Sequence, residues 1–382
     1  MGIPAERTCF DSDHAIFRDS VRAFLREHLL PNLDRFERER EIDRSFWLAC
    51  GEAGLLCPTV PEAYGGLGLD FRYNAIVTEE LAYAGCFSGP PLQSDIICEY
   101  IVEYGSEEQK QRYLPGMIAG TTVAAIAMTE PGAGSDLKAI RTMARRDGND
   151  WIIDGVKTYI SAGQQCDIVI VLAKTDVAAG ARGITLFIVE AGAEGFARGR
   201  KLDKIGQHYA DTSELFFDGV RVAASAMLGQ EGQGFAQVMK LIPQERLSIA
   251  IMAQAAAQRA FDEAREFALD RKVFEERLID LQNTRFTLAR HTASLQVGWV
   301  HLDRCIEAHC RKELSGVQAS AAKFWHTEMQ WQITDDCLQM HGGAGYMTEY
   351  AIARLWRDAR VQRIYGGTSE ILLEIIGREI AG

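Results

Sequence analysis

Features typical of secreted, disulfide-stabilised proteins are scarce in this chain. Its nine cysteines include no pair spaced Cys-x-x-Cys, and an odd number of cysteines cannot all be bridged within one chain. Scattered thiols in a chain of 382 residues fit a reducing compartment, where they behave as small buried hydrophobes. The cysteine pattern therefore favours an intracellular protein.

Two kinds of hydrophobic segment are missing as well. The sequence has no run of about 18 uninterrupted apolar residues, so we expect no transmembrane helix. The segment from Met1 to Glu6 lacks a basic stretch followed by an apolar one, so we expect no signal peptide. Together with the cysteines, these absences predict a cytoplasmic protein without an integral membrane segment.

An excess of basic residues is also absent. The chain carries 53 acidic against 41 basic residues, a net charge of −12. A nucleic-acid partner would require a basic face to displace the counterions of phosphate, so we expect none. The hydrophobic fraction of 47% is that of an ordinary globular protein, and a local basic cluster can still bind an anionic ligand.

The spacing of apolar residues divides the chain into three regions. Up to about residue 120 apolar residues recur at helical spacing, as in Phe17, Val21 and Phe24. Short β-branched runs between turn residues follow, at 151–155, 167–172 and 184–189. We therefore predict an N-terminal α-helical domain at 1–120 and a middle β domain at 121–232.

The last region returns to helical spacing. It contains long alanine-rich stretches at 249–271 and 318–340. Helices of this length exceed the mean of about 11–12 residues in globular proteins, which suggests that they pack on one another and across subunits. We predict a C-terminal α-helical domain at 233–382.

A glycine-rich loop follows an apolar run at the start of the middle region. Pro131, Gly132 and Gly134 predict a tight turn with exposed N–H groups that a ligand can approach closely. Such a turn is more often only a surface loop. It is not a dinucleotide-binding fingerprint, because the third glycine, the following helix and the later ribose-binding acid are missing.

Tyr159 and Ser161 lie in a predicted strand, where alternate side chains leave the same face. This arrangement would present an aromatic ring and a hydroxyl together to a ligand. The ordinary alternative is a core tyrosine and a surface serine in a structural strand.

Glu245 and Arg246 form a charged pair directly before the apolar run at 247–251. We expect Pro243 to open a helix, which places Glu245 at a buried or half-buried helix start. Burial there would raise the pKa of its carboxyl towards that of a general base. The alternative is a surface ion pair that supports the helix dipole.

His301, Cys305 and His309 recur at helical spacing and resemble a set of metal ligands. No fourth ligand or supporting shell is evident, so we expect packing residues and no metal.

Several motifs in fixed order resemble the acyl-CoA dehydrogenase family over nearly the whole chain. They occupy 127–136, 155–163, 204–206, 271–274, 339–346 and 361–370. The resemblance implies an α+β multidomain fold, with an N-terminal α-helical domain, a central β-barrel or sandwich domain and a C-terminal four-helix-bundle domain. It also implies oxidation of an acyl-CoA to the trans-2-enoyl-CoA, with transfer of a hydride to N5 of FAD.

The position of the catalytic base departs from the majority of that family. Most members have a glutamate directly before the Gly-Thr pair, whereas this chain has Gly366. Glu245 stands where the isovaleryl and long-chain types keep their base. The resemblance therefore implies that Glu245 removes the α-proton and that the Gly366 N–H helps to bind the thioester oxygen. It favours a long-chain or branched substrate.

The same resemblance assigns residues to the cofactor and the substrate. FAD would be held by Ile126, Ala127, Met128, Thr129, Gly134, Ser135, Tyr159, Ile160, Ser161, Arg271, Phe274, Gln282, Gln339, Met340, His341, Gly342, Gly343, Thr368, Ser369 and Glu370. The acyl-CoA would contact Ser135, Pro243, Gln244, Arg246, Gly366 and Gly367. Relatives usually have glycine where this chain has Glu275, whose carboxylate we expect to point to solvent.

The resemblance also implies partners. Arg271 and the segment 339–343 would complete the cofactor site from different subunits, which predicts a homotetramer, with a dimer as the alternative. An electron-transfer flavoprotein would accept the electrons. The alternatives are an acyl-CoA oxidase that uses oxygen and a non-catalytic scaffold that binds FAD or acyl-CoA. The presence of Glu245 argues against the scaffold.

Overall fold

Helices fill the first third of the chain. The computed structural model describes residues 2–4 and 7–382. The helices are α1 Ser12–Phe24, α2 Leu33–Glu39, α3 Arg44–Glu52, α4 Phe71–Tyr83, α5 Cys98–Tyr104 and α6 Glu107–Ile118. A π-helical turn follows α1 at Leu25–Leu29, and another precedes α5 at Leu92–Ile97. The helical spacing that predicts this region is confirmed.

One eight-stranded sheet forms the middle of the chain. Its strands are β1 Ala124–Ala127, β2 Met143–Asp147, β3 Asp150–Ser161, β4 Ile168–Lys174, β5 Ile184–Glu190, β6 Phe196–Lys201, β7 Thr212–Ala223 and β8 Met227–Leu228. They are ordered β6-β7-β3-β2-β4-β5-β8, and β1 pairs with β4 in parallel. The three predicted strands lie in β3, β4 and β5.

The uninterrupted apolar runs of β4 and β5 arise because both faces of these strands are buried. In β4, Ile168 and Ile170 pack with the N-terminal helices. Val169 and Val171 pack into the interior of the sheet domain. Trp151 of β3 meets Phe187 of β5 with ring centroids 5.4 Å apart. The sheet is therefore curved enough for its inner face to close on itself.

Helices return after the sheet. They are α7 Gly234–Asp270, α8 Gln282–Cys310, α9 Gly316–His341, α10 Ala351–Ala359 and α11 Ser369–Ala381, with a small hairpin of β9 Lys272–Val273 and β10 Glu276–Arg277 after α7. Alanines of α7 such as Ala253, Ala257 and Ala260 are fully buried and allow neighbouring helices to approach closely. Nowhere in residues 2–4 and 7–382 is a helix both long and apolar enough to cross a bilayer.

A buried polar cluster fixes α7 against the N-terminal helices. Asp95, in the second π-helical turn, accepts hydrogen bonds from Thr78 Oγ1 at 2.8 Å and from Ser248 Oγ at 2.5 Å. Burial raises the pKa of Asp95 to about 7. Ser248 lies one helical turn after Glu245, so this cluster sets the position of the part of α7 that carries the predicted base.

Candidate active site

Glu245 lies well inside α7, not at a helix start. The helix begins at Gly234 and runs through Pro243. The prediction that Pro243 opens the helix is therefore wrong. Proline costs an interior helix one N–H bond and some crowding, and here extensive packing of α7 offsets that cost.

Burial controls the acidity of Glu245. Its side chain is half-buried, and loss of contact with water raises the pKa of its carboxyl above the ordinary value. The positive charges of Arg246 and Lys323 oppose that rise. A carboxylate with a raised pKa, held next to cations, suits the removal of a weakly acidic proton near neutral pH.

Gly366 and Gly367 face Glu245 from the loop before α11. Both have left-handed backbone conformations, with φ of 65° and 96°. A Cβ at Gly366 would lie 2.4 Å from Ile249 Cδ1 and 3.4 Å from Glu245 Oε1. Glycine is thus required both by the backbone conformation and by the space that Glu245 and its helix occupy.

Two cations hold this loop by its carbonyl groups. Arg246 Nε donates to the Gly366 oxygen at 3.3 Å, and Lys323 Nζ donates to the Gly367 oxygen at 2.7 Å. Ser320 Oγ accepts from Arg246 at 2.9 Å. The structure therefore brings Glu245, Arg246, Gly366 and Gly367 together, as predicted from the sequence.

Sequence reasoning missed the contribution of α9. Lys323 is completely buried on that helix. Glu328, farther along the same helix, accepts from Arg363 Nε and from Ser369 Oγ, each at 2.7 Å. The available signal was a lone lysine between Ala322 and Phe324 in a long helix, and it does not reveal what the side chain contacts.

Three other predicted contacts are occupied by protein partners. The Gln244 amide donates to the Asp95 carbonyl at 2.7 Å and lies 2.9 Å from His309 Nε2. It therefore connects α7 to its neighbours and is not a free substrate donor. Ser369 is buried on Glu328, as described above. Thr368 caps α11 by accepting from the Ile371 N–H, whereas Glu370 is exposed in the first turn of that helix.

The glycine-rich loop lies at the end of β1. Ala127 is buried, Ile126, Met128 and Thr129 are half-buried, and Gly134 and Ser135 are exposed. The Thr129 carbonyl accepts from the Thr158 N–H at 2.9 Å, which ties the loop to β3.

Glu130 and Lys157 form a buried ion pair that supports this loop. Neither residue was singled out from the sequence. Lys157 Nζ donates to Glu130 Oε1 at 2.9 Å and to the Met128 carbonyl at 3.1 Å. Glu130 also accepts from the N–H groups of Arg141 and Thr142. The pKa of Glu130 is lowered: burial opposes the change, but Lys157 and these hydrogen bonds outweigh it.

Tyr159 lies in an irregular part of β3. Its φ is 59°, and the pairing of β3 with β7 shifts register between Lys157 and Ile160. Tyr159 is 69% exposed, Ile160 is buried and Ser161 is half-buried. The exposure alternates as predicted, but a bulge, rather than a regular strand, turns the tyrosine outward. Backbone strain at a residue with an exposed ring is a combination often found at functional sites.

The remaining predicted cofactor residues cluster at the opposite end of α7. Arg271 caps that helix, Phe274 follows in the hairpin with φ of 50°, and Gln282 begins α8, all three exposed. Glu275 is exposed, as expected, and its φ of 69° explains why glycine suits this position.

The segment 339–343 ends α9 beside them. His341 stacks on Phe267 with ring centroids 4.3 Å apart, and its Nδ1 lies 2.8 Å from the Cys337 carbonyl. Met340 is half-buried, whereas Gln339, Gly342 and Gly343 are exposed. Phe267 lies one helical turn before Arg271, so 271–274 and 339–343 form one patch of the same chain.

The histidines and cysteine that resemble metal ligands each have a protein partner. His301 Nδ1 lies 3.2 Å from His326 Nε2, and Cys305 Sγ lies 3.5 Å from His301 Nε2. His309 contacts Gln244 as described above. These contacts fit the expected packing role.

Comparison with known proteins decides the family. Three family models cover most of the chain: the acyl-CoA dehydrogenase N-terminal domain at 11–121, the middle domain at 125–220 and the C-terminal domain at 232–381. The chain belongs to the acyl-CoA dehydrogenase family. The resemblance recognised in the sequence is confirmed.

Individual relatives agree with this assignment. The long-chain specific acyl-CoA dehydrogenase of Sus scrofa mitochondria is 47% identical over 98% of this chain and 88% of its own length. The mitochondrial isovaleryl-CoA dehydrogenase of Pongo abelii is 36% identical over 94% of this chain and 87% of its own. A crystal structure of an acyl-CoA dehydrogenase from Geobacillus kaustophilus has a TM-score of 0.96 and 42% identity, covering 98% of this chain and all of that one.

These matches establish the reaction class and the fold. The protein is an acyl-CoA dehydrogenase, an oxidoreductase with three parts: an N-terminal helical domain, a middle β-sheet domain and a C-terminal helical domain. The oxidase alternative is not favoured. The long-chain and isovaleryl types, which the sequence motifs resemble, both appear among the relatives.

Proposed function

We propose that this acyl-CoA dehydrogenase uses FAD and oxidises long-chain or branched acyl-CoA thioesters, with Glu245 as the base. The observation that carries the proposal is the half-buried Glu245 carboxylate facing a left-handed Gly366. A side chain at position 366 would occupy the space beside that carboxylate. The arrangement therefore suits an enzyme whose base comes from α7.

The residues present fit FAD. Phe274 and Tyr159 are 92% and 69% exposed, so both rings are available to stack on a planar ligand. Gly342 and Gly343 have open space where a Cβ would be. Within the described chain no carboxylate lies within 4 Å of the exposed Arg271 guanidinium, which leaves its donors for a pyrophosphate.

The two groups of predicted cofactor residues are far apart in one chain. Glu245 and Arg271 are separated by most of α7, roughly 40 Å at about 1.5 Å of rise per residue. We propose that Arg271 and the segment 339–343 reach the cofactor of a neighbouring copy together, from one subunit instead of two. This arrangement supports a homo-oligomer, and we propose that it is a homotetramer.

The chemical step needs a base and a polarised thioester. Glu245 takes the α-proton, and its burial keeps water from competing for the carboxylate. The Gly366 N–H has no acceptor among the described residues, so it is free to donate to the thioester oxygen as charge develops there. FAD, when bound, supplies the acceptor for the β-hydride.

The acyl chain class rests on the position of the base and on the relatives. Ser88 and Gly89 lie outside helices, directly before Pro90 and Pro91, which begin the helical segment that leads into the second π-helical turn. The relatives named above act on long-chain and isovaleryl thioesters. We propose an electron-transfer flavoprotein as acceptor. The named relatives are mitochondrial, and the cytoplasmic location stays a prediction.

The base assignment is tested with Glu245→Gln. This change keeps the shape of the side chain but removes the proton acceptor. We expect the purified protein to retain FAD and to bind acyl-CoA, while reduction of the flavin slows by about 10²–10⁴-fold or more. Anaerobic mixing with substrate, followed by flavin absorbance, measures the rate. Bleaching as fast as in the parent would place the base elsewhere.

The substrate class is tested separately with a panel of straight and branched acyl-CoAs and a dye acceptor. We expect higher kcat/KM for long or branched chains than for butyryl-CoA. One methylene in an apolar pocket contributes only about 1–3 kcal/mol, so the trend across the panel matters more than any one pair. A preference for butyryl-CoA over every other thioester would contradict the assignment.

A further inference from the structure

Lys323 is the least expected residue near the base. It is a fully buried lysine on α9 whose side chain has no carboxylate within 4 Å among the described residues. Removing an ammonium from water is costly unless the group is paired and hydrogen-bonded. Its recorded hydrogen-bond partner is the Gly367 carbonyl at 2.7 Å.

Lys323 lies close to both the proposed base, Glu245, and the Gly366–Gly367 loop that faces it. A Cβ at Gly366 would lie 3.3 Å from Lys323 Cε and 3.4 Å from Glu245 Oε1. The lysine and the base therefore approach the same glycine. Through the Gly367 carbonyl, the ammonium also holds the loop two peptide units after the one that carries the Gly366 N–H. One side chain thus contacts the loop that carries the proposed thioester donor and faces the proposed base.

We propose that Lys323 is a positioning residue for proton removal, which holds the Gly366–Gly367 loop and tunes Glu245 by its charge. The proposal rests on the proposed role of Glu245. Lys323 has two separable contributions. Its hydrogen bond to Gly367 orients the loop, and its positive charge stabilises the ionised form of the base.

Other charged groups around the base do not duplicate this arrangement. Arg246 also lowers the pKa of Glu245, but its guanidinium is committed to Ser320 and to the Gly366 carbonyl. Tyr100 and Tyr365 face Glu245 from α5 and from the loop before α11. Burial raises the pKa of both phenols, so they are neutral near pH 7.

Lys323 stays charged in the acidic range although its surroundings lower the pKa of its ammonium. Burial and Arg246 lower the pKa of its ammonium to about 7, whereas Glu245 and Glu328 oppose that change. Below this pH the lysine is mainly a cation.

A substrate analogue with sulfur in place of the β-carbon isolates the proton step. A 3-thiaacyl-CoA has no β-hydrogen on carbon to give up, so exchange of its α-hydrogens with D2O reports the base alone. The FAD-loaded enzyme is incubated with this thioester in D2O across a range of pH, and mass spectrometry follows deuterium uptake. We expect the parent to catalyse exchange and Glu245→Gln to lose it.

Two substitutions separate the charge from the hydrogen bond. Lys323→Met removes both, and Lys323→Gln keeps a donor for Gly367. We expect exchange near pH 7 to fall about tenfold or more in Lys323→Met and less in Lys323→Gln. In both variants the acidic limb of the profile should move up by about one pH unit, because an opposite charge near Glu245 has been lost. Lys110→Met on α6 is the matched control and should leave the profile unchanged.

The outcomes distinguish this proposal from the one on which it depends. If Glu245→Gln exchanges as fast as the parent, the assignment of the base fails. If Glu245→Gln is inactive but both Lys323 variants keep the parent's acidic limb, Lys323 is only structural and this inference is overturned. Failure of both variants to fold with FAD bound would likewise assign Lys323 to stability. Should Lys323→Met alone fail to fold, the profile of Lys323→Gln decides.

Discussion

Two buried lysines each hold a loop of the candidate active site, and they differ in their electrostatic partners. Lys157 of the β domain donates to the Met128 carbonyl and forms an ion pair with Glu130 at 2.9 Å. Lys323 of the helical domain donates to the Gly367 carbonyl, and no carboxylate of the described chain lies within 4 Å of it. Both are completely buried.

The difference assigns them different tasks. The charge of Lys157 is largely neutralised by Glu130, so the pair acts as a fixed support for the glycine-rich loop. The charge of Lys323 acts on carboxylates that are not in direct contact with it, Glu245 and Glu328, of which Glu245 is the proposed base. A buried cation with a partner fixes geometry, whereas one without a close partner also sets the local potential.

The largest expected effect comes from breaking the paired lysine. Glu130→Gln leaves Lys157 buried without its carboxylate and weakens the bonds to the Arg141 and Thr142 N–H groups. We expect a loss of about 3 kcal/mol in the free energy of unfolding and weaker retention of FAD. Urea unfolding and flavin content measure both effects.

The matched control adds Lys157→Met to Glu130→Gln. Removal of the unpaired Lys157 ammonium should recover part of the lost free energy of unfolding. A double variant no more stable than the single one would show that the carboxylate acts through the backbone N–H groups and not through Lys157.

The corresponding change in the helical domain should cost less. Lys323→Met relieves the burial of an unpaired ammonium but leaves the Gly367 carbonyl without a donor. These effects oppose one another, so we expect the free energy of unfolding to change by no more than about 1 kcal/mol. The same urea titration checks it. A loss as large as that of Glu130→Gln would mean that Lys323 serves mainly stability.

The smallest effect is a difference in pH dependence. The pKa of Lys157 is lowered from 10.5 to about 8 and that of Lys323 to about 7, in each case mainly by burial. Between the folded value and 10.5, the unfolded chain binds a proton that the folded protein does not, so stability rises with pH. Lys323→Met should remove such a rise from about pH 7 upward, and Lys157→Met from about pH 8 upward. Urea midpoints measured from pH 7 to 10 compare the two, and identical slopes in both variants would remove the distinction.

Much of the fold was predictable because local patterns determine it. Short β-branched runs predicted β3, β4 and β5, and alanine-rich stretches predicted α7 and α9. The start of α7 was not predictable from Pro243, because a proline usually marks a helix start and only the surrounding packing allows it inside. The bulge at Tyr159 was not predictable either, because the alternation of side chains along a strand says nothing about its register with the neighbouring strand.

The sequence by itself determined the family, the order of helices and strands, and the exchange of a glutamate for Gly366 with a candidate base at Glu245. Those features depend only on residue types and on short spacings along the chain. The tertiary structure alone decided that Gln244 is occupied by Asp95 and His309, and that Lys157 is paired while Lys323 is not. Contacts between residues distant in the chain depend on how helices pack, and a buried charge acquires its role only from the groups that packing brings beside it.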